Sequence, residues 1–231
     1  MKTYITFEEV QSLIEAATNL RDKLLIRLLF FLACRISEAL AITVQDIDFN
    51  QGTVTIKHLK QRIKLSCPRC GVRLSKANKY CPGCSRKISQ TTREKLEQHR
   101  RRILPIDPET LNMLQEYIDR GGPVNRNGNL LIFGINRHRA WQIIKQCAQR
   151  AGIPNLINPE TGKMHCVSPH RLRDAFSVNA IKQDDSGDGI RMLQEHLGHR
   201  AISTTMRYRK VAGEEHKEWY GNLWKKENGK G

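Results

Sequence analysis

Ser168-Pro169-His170-Arg171-Leu172-Arg173 opens a helix in the last third of the chain. Ser168 stands where a hydroxyl can cap the first free amides. Pro169 takes the first helical position, where its missing N–H costs nothing and its fixed φ suits the turn. The helix is predicted to carry residues 170–183, so that an imidazole and a guanidinium, His170 and Arg173, leave it three residues apart. Downstream comes Leu197-Gly198-His199, with Tyr208 nine residues beyond His199 in Ser203-Thr204-Thr205-Met206-Arg207-Tyr208, and far upstream stands Arg35-Ile36-Ser37-Glu38-Ala39-Leu40. Each segment alone is ordinary, since a His-x-x-Arg pair is usually surface chemistry and a tyrosine near a helix end is usually packing.

Composition bounds what these segments belong to. The 231 residues hold 39 Lys and Arg against 23 Asp and Glu, a formal net charge of +16, and 39% of them are hydrophobic. A chain of this length buries roughly 70–75% of its unfolded surface, enough for one large domain or two small ones without disulfides. The longest apolar run, Leu24-Leu25-Ile26 and then residues 28–34, is broken by Arg27. It is shorter than the ~18–20 residues of a membrane span, so no transmembrane helix is expected. The first residues lack a secretory pattern, which predicts a cytoplasmic protein with reduced thiols. Residues 57–102 hold 15 Lys and Arg and two acids, a net +13, leaving +3 for the other 185 residues. That block predicts an anionic partner, with nucleic acid ahead of an acidic protein or a membrane surface.

Local patterns sketch the fold. Thr6-Phe7-Glu8-Glu9 is a capping-box pattern, which starts a helix over 7–17. Leu24, Leu25, Leu28, Leu29 and Leu32 recur at helical spacing and predict a buried helix over 19–33, with a short one over 36–42 after Arg35. Residues 53–57 and 102–106 read as strands, so the basic segment between them becomes an insertion in a β-hairpin. Asp107-Pro108-Glu109 starts a helix to about residue 120. A loop is expected over 122–128, and helices over 137–150, 190–197, 203–209 and 214–226. The expected fold class is mainly α with a small antiparallel β-sheet (α+β).

Inside the insertion, Cys67-Pro-Arg-Cys70-Gly71 and Cys81-Pro-Gly-Cys84 are separated by ten residues. Two such knuckles set four soft thiolates where one tetrahedral Zn²⁺ can hold two short turns, in a stretch with almost no apolar core of its own. Four protein ligands close the site, so the metal is expected to be structural, leaving no position for an activated water. A disulfide pair or an iron–sulfur cluster is the competing use of four cysteines. Cys34, Cys147 and Cys166 lack such spacing and are expected to be small buried residues.

Taken in order, Arg35-x-Ser37-Glu38, a lysine just past a strand (Lys60), His170-x-x-Arg173, Leu197-Gly198-His199, and Ser203-Thr204-Thr205 with Tyr208 resemble the catalytic domain of the tyrosine recombinase/integrase family, the phage-integrase and Xer-like enzymes. The resemblance covers about residues 6–211 and implies that catalytic-domain fold, with a zinc ribbon inserted in its hairpin. Cleaving a phosphodiester without a metal requires a nucleophile, a leaving-group acid and fixed positive charge. Arg35 and Arg173 suit the charge, because a guanidinium fork holds two non-bridging oxygens at once. The resemblance implies that Tyr208 attacks the phosphate, giving a 3′-phosphotyrosyl link and a free 5′-hydroxyl. It further implies that His170 is the acid–base group near Tyr208, that His199 hydrogen-bonds the phosphate, and that Lys60 protonates the leaving 5′-oxygen. Lys57 and Lys95 are rivals for the lysine, because the insertion blurs the hairpin register. No cofactor is expected for the chemistry itself.

Two departures from the family pattern stand out. Thr-Gly commonly precedes the first arginine, whereas here the residues are Leu32-Ala33-Cys34. Only 34 residues precede Arg35, too few for the helical core-binding domain that family members carry there. Residues 1–231 are therefore expected to be a catalytic domain with a zinc-ribbon module at 61–99 and the core-binding domain absent. The ribbon is expected to act as a substitute clamp, with Lys76, Lys79, Arg86, Lys87, Arg100, Arg101 and Arg102 on backbone phosphates, contacts that position without specifying. Trp219, Leu223 and Trp224 fall on one helical stripe, for packing or for docking on a neighbour. The resemblance implies double-stranded DNA as partner, a homo-tetramer on paired DNA sites, scope for an accessory DNA-bending or directionality factor, and a place on the prokaryotic nucleoid away from any membrane. The expected function is site-specific recombination or integration, as in a mobile element. The alternatives are type IB topoisomerase-like strand passage with the same groups, and a zinc-ribbon DNA-binding regulator derived from a recombinase.

Overall fold

Thr6 caps the first helix as the sequence pattern requires: its hydroxyl accepts from the Glu9 amide at 3.4 Å while the Glu9 carboxylate accepts from the Thr6 amide at 3.0 Å. This helix, α1 (Phe7–Glu15), buries Val10, Leu13 and Ile14. Asn19 caps α2 (Leu20–Phe31) through the Asp22 amide at 2.9 Å. On α2, Leu24, Leu25, Ile26, Leu28 and Leu29 are at most 1% exposed, and a helix apolar all round belongs at the centre of a domain. Its polar exception is Arg27, whose buried guanidinium meets Asp107 at 2.6 Å, Thr110 at 2.7 Å and Glu109 at 2.9 Å.

The structure is a computed structural model that describes residues 2–57, 65–75, 77–89, 101–158 and 161–209. It divides into two units, Met1–Ile56 with Arg102–Gly231, and Lys57–Arg101. In the first unit α3 (Ile36–Ala39) follows α2, and β1 (Ile47–Asp48), β2 (Thr53–Lys57) and β5 (Arg101–Pro105) form a sheet in the order β1-β2-β5. The two strands flanking the basic insertion are thus sheet neighbours. Asp107 caps α4 (Pro108–Asp119), and α5 (Arg137–Arg150) follows from Asn136. Further on come α6 (Pro169–Gln183), α7 (Gly187–Leu197) and α8 (Ile202–Arg209). Helices α1, α4 and α6 pack on α2, while α6, α7 and α8 pack on one another. One apolar cluster joins α1, α2, α5, α6 and the sheet, and a smaller one joins Ala33, Ile181, Leu193 and Leu197 under the α6–α8 group.

Three local expectations are corrected. Residues 122–128 are not a loop: β6 (Val124–Arg126) pairs antiparallel with β7 (Asn129–Leu131). The two-residue turn between them has φ 51° at Asn127 and 78° at Gly128, the left-handed pair that an Asn-Gly hairpin turn needs. Ser168 sits at the cap of α6 but its side chain makes no capping hydrogen bond, so Pro169 carries the start alone. Cys166 is partly exposed, unlike Cys34 and Cys147, which are buried. A short pair, β8 (Leu156–Ile157) with β9 (Met164–His165), was not anticipated. The helix expected over 214–226 lies outside the described residues. No described helix is long and apolar enough to cross a membrane.

The second unit is built on β3 (Leu65–Ser66) paired with β4 (Arg73–Leu74). Its two cysteine turns repeat one geometry. The Cys67 amide donates to Val72 at 2.8 Å and the Gly71 amide to Cys67 at 2.9 Å; the Cys81 amide donates to Arg86 at 2.9 Å and the Ser85 amide to Cys81 at 2.9 Å. Its core is Leu65, Cys67, Leu74 and Cys81, with Cys84 and Ile88 alongside.

Candidate active site

Arg173 organises the site. It is 2% exposed, and its Nη1 donates to the Ala33 carbonyl at 2.5 Å while Nη2 donates to the Leu197 carbonyl at 2.8 Å. One side chain on α6 thereby ties the turn after α2 to the end of α7. The Gly198 backbone, at φ 66°, ends α7 in the left-handed conformation that glycine adopts without cost. The chain then turns so that His199 faces Arg173, its Nε2 lying 3.0 Å from Nη2, with Nδ1 2.9 Å from the Thr205 hydroxyl. A guanidinium has only donors, so Nε2 must accept and the imidazole proton sits on Nδ1. Burial, and then the charge of Arg173, lower the His199 pKa to about 4.

Arg35 starts α3 and is held there by Glu38: the Arg35 amide donates to one carboxylate oxygen at 3.0 Å and Nη1 to the other at 3.0 Å. Glu38 also receives Arg102 at 2.9 Å. Burial opposes ionisation of Glu38, but Arg102 and Arg35 overcome it and hold the carboxyl below its usual range. Arg102 is therefore turned onto Glu38, its side chain 12% exposed. Burial and then the like charge of Arg35 lower the Arg173 pKa.

Tyr208, on α8, donates its hydroxyl to Asp174 Oδ1 at 3.2 Å and stacks its ring on His199 at 6.3 Å. Asp174 Oδ2 accepts from Arg171 at 3.0 Å, and His170 Nε2 lies 3.6 Å from Oδ1. Burial, then the Asp174 charge, push the Tyr208 phenol above its ordinary value. A cavity of about 620 Å³ is lined by Arg35, His170, Arg173, His199 and Tyr208, together with Asp174. The fold brings these five sequence-predicted residues, drawn from three separate segments of the chain, to one concave surface. Lys60, Lys76 and Arg100 lie outside the described residues. Lys79, Arg86, Lys87 and Arg101 are exposed, as phosphate contacts must be.

The sequence reading missed Asp174, Thr205 and the Glu38–Arg102 pair. Asp174 had a usable signal, because it stands four residues after His170 and so shares its helix face. Thr205 stood in the quoted Ser203-Thr204-Thr205 pattern, but its partner His199, like the Arg102 partner of Glu38 64 residues away, is set only by the fold.

In the second unit, the Sγ atoms of Cys67, Cys70, Cys81 and Cys84 all lie within 4.8 Å of one another, with 3.6 Å between Cys67 and Cys84 and 3.4 Å between Cys70 and Cys81. Amides of Cys70 and Arg69 lower the Cys67 thiol, while the neighbouring sulfurs raise that of Cys70, so the four thiols share their protons.

With this geometry in hand, three comparisons are informative. Residues 3–215 match the model of the phage integrase family. Tyrosine recombinase XerD of Neisseria meningitidis is 26% identical over 223 residues, which cover 91% of this chain and 59% of that protein. The crystal structure of XerA recombinase superposes with a TM-score of 0.63 at 20% identity, over 96% of this chain and 66% of that one. XerH site-specific recombinase bound to a palindromic difH substrate, in a post-cleavage complex, gives 0.60 at 17% identity over 97% and 54%. The chain thus spans 59% of the length of the XerD relative.

Proposed function

The chain belongs to the phage integrase family of tyrosine recombinases, and from that premise we propose that it is a site-specific DNA recombinase that cuts and rejoins double-stranded DNA through a 3′-phosphotyrosyl link. The observation that carries this is the shared cavity, where Tyr208 meets two crowded guanidiniums and two imidazoles. The Tyr208 oxygen attacks the scissile phosphorus, the P–O5′ bond breaks, and Lys60 supplies the proton to the leaving 5′-oxygen. Arg35 and Arg173 carry the negative charge that builds on the non-bridging oxygens. A 5′-hydroxyl from a second strand then attacks the link and releases Tyr208, so no high-energy cofactor is consumed. Exchange between two sites favours a homo-tetramer on paired DNA, with residues 214–226 available to join protomers and an accessory DNA-bending or directionality factor choosing the direction. DNA as substrate puts the working enzyme on the nucleoid of a prokaryotic cytoplasm.

The four cysteines fit Zn²⁺. A tetrahedron with Zn–S of ~2.3 Å has sulfur–sulfur edges of about 3.8 Å, close to the 3.4 and 3.6 Å separations here. The metal would hold the two turns together in place of an apolar core and take no part in the reaction. Around it, exposed Lys79, Arg86, Lys87 and Arg101 serve as the DNA clamp, together with Lys76 and Arg100. Deleting residues 66–90 should weaken binding and flatten its salt dependence; unchanged affinity and slope would refute the clamp.

Covalent trapping tests the activity. The zinc-loaded protein is incubated with supercoiled DNA carrying the flanks of its own gene, then denatured. Protein on a 3′ end, lost in Tyr208→Phe, is the expected result, and exchange between two sites separates recombination from simple relaxation. Tight binding with no adduct would point instead to a DNA-binding regulator.

A further inference from the structure

The hydroxyl of Tyr208 is bonded to a carboxylate that the motif does not contain. Asp174 Oδ1 accepts from it at 3.2 Å, and His170 Nε2 stands 3.6 Å from that same oxygen. The three groups differ in exposure: Asp174 is 15% exposed, His170 is 70% exposed, and Tyr208 is half-buried against the Ala33 cluster. Asp174 thus stands between a sheltered phenol and an imidazole open to solvent. Resting on the strand-cleavage reading above, we propose that Asp174 is a catalytic residue: it takes the Tyr208 proton during cleavage, passes it to His170, and returns it when the strands rejoin.

The proton balance is complete. As the Tyr208 oxygen bonds to phosphorus, its proton moves to Asp174, while the departing 5′-oxygen takes a separate proton from the leaving-group acid. Phenol and carboxylic acid differ by roughly a millionfold in acidity, so transfer ahead of attack is unproductive. It becomes favourable as the oxygen turns into an aryl phosphate ester, which holds no proton, and so the two events are concerted. Imidazole is the stronger base of the remaining pair by roughly two to three pKa units, and the proton runs on to His170 and the solvent. Arg171 donates to the far oxygen at 3.0 Å and keeps the carboxylate oriented.

The other titratable groups around the pair are Arg173 on α6, Arg35 before α3, His199 after α7, Arg207 on α8, and Tyr4. None of them is a rival base. The arginines only donate, and the lone pair of His199 is already taken by Arg173.

The test uses the full chain and the DNA site recovered by trapping, with a nicked strand so that only cleavage is timed. In Asp174→Asn the amide still accepts the phenol but cannot take its proton. Adduct formation should slow by roughly 10²–10⁴-fold, and its logarithm should rise with pH more steeply than the native rate by one unit of slope, because the proton must now leave before attack. DNA affinity and the urea midpoint of the variant verify that the site is intact. If the asparagine variant does not fold, Asp174→Glu serves: a profile parallel to native at reduced rate is expected, and an added unit of slope would overturn the proposal. A rate for Asp174→Asn within about threefold of native, or faster, or a profile parallel to native, overturns it as well, the faster outcome marking Asp174 as a latch. Native protein and Tyr208→Phe run alongside. Absence of an adduct in the native enzyme refutes strand cleavage itself, whereas a native adduct with an unaffected Asp174→Asn refutes only the role of Asp174.

Discussion

Mild acid should loosen this domain through one histidine on α7. His196 stacks on Phe176 at 4.8 Å, and its Nε2 is buried without a hydrogen-bond partner among the described residues, so a proton there meets no protein acceptor. Burial, and then the charge of Arg102, lower its pKa to about 4, although the carbonyls of Leu32 and Phe31 favour the charged form. The unfolded chain takes up the proton near pH 6.5, so below that value the unfolded state binds more protons and stability falls with pH, levelling only below the folded pKa. Linkage between those two values gives a loss of about 2 kcal/mol at pH 5 and about 3 kcal/mol below pH 4. Carboxylates held low, such as Glu38 and Asp107, lose their contribution only as pH falls into the ordinary carboxyl range, and His199, also lowered to about 4, titrates in native protein and variant alike, so the difference between the two above about pH 5 isolates His196. Urea unfolding followed by the far-ultraviolet helical signal, for native protein and His196→Gln, checks this. Glutamine keeps an amide donor for the two carbonyls and does not titrate. Native protein should lose roughly 0.7–1 M more of its urea midpoint than the variant between pH 7.5 and 5. Parallel pH dependences, whatever the offset between them, would refute the assignment.

Two further outcomes follow from buried charge. Asp107→Ala leaves the Arg27 guanidinium, 3% exposed, with the Thr110 hydroxyl and a carboxylate, Glu109, that is 72% exposed; together with the lost α4 cap this should cost about 3–5 kcal/mol in the same urea assay. His199 offers its Nε2 lone pair to Arg173 and so cannot donate to a phosphate oxygen until it gains a proton. Burial first, and then the arginine charges, lower its pKa to about 4, and a bound phosphodiester offsets the second of these. DNA binding near pH 6 should therefore be accompanied by proton uptake, measured calorimetrically in buffers of different ionisation enthalpy, and His199→Asn should abolish most of that uptake.

What was legible in the sequence is what depends on a few neighbouring residues. The Thr6–Glu9 box and Pro108 after Asp107 act within one helical turn, and each starts a helix where expected. Paired cysteine turns are equally local, each closed by hydrogen bonds within six consecutive residues. The β6–β7 hairpin was legible too, because Asn127-Gly128 is a strong hairpin signal, but flanking strands of three residues left little alternation to support it. Strands β8 and β9, two residues each, offer no period at all. In the site, the motif names the groups that face the phosphate and leaves out those that hold them. Glu38 stood in the motif without a partner, because Arg102 reaches it from 64 residues away. Asp174 acquires its meaning only when α8 folds back on α6 and sets a phenol against it.

The departure at Leu32-Ala33-Cys34 is resolved by the same physics. Ala33 has φ 43°, so the turn keeps the left-handed backbone that a glycine would adopt freely. An L-residue held there costs roughly 1–2 kcal/mol. Against this, the fully buried Ala33 methyl, packed among Ile181, Leu193 and Leu197, contributes about 0.8 kcal/mol. Alanine also gives up roughly 0.5–1 kcal/mol less conformational entropy than glycine on folding. The terms nearly cancel, which is why alanine can occupy the turn without moving it. Its carbonyl still reaches Arg173 at 2.5 Å, and Arg35 still begins α3 two residues later. What the position demands is a small side chain and a left-handed backbone, because those two conditions set the spacing between the guanidiniums of Arg35 and Arg173. A β-branched residue satisfies neither, and would disturb both arginines from a fully buried position.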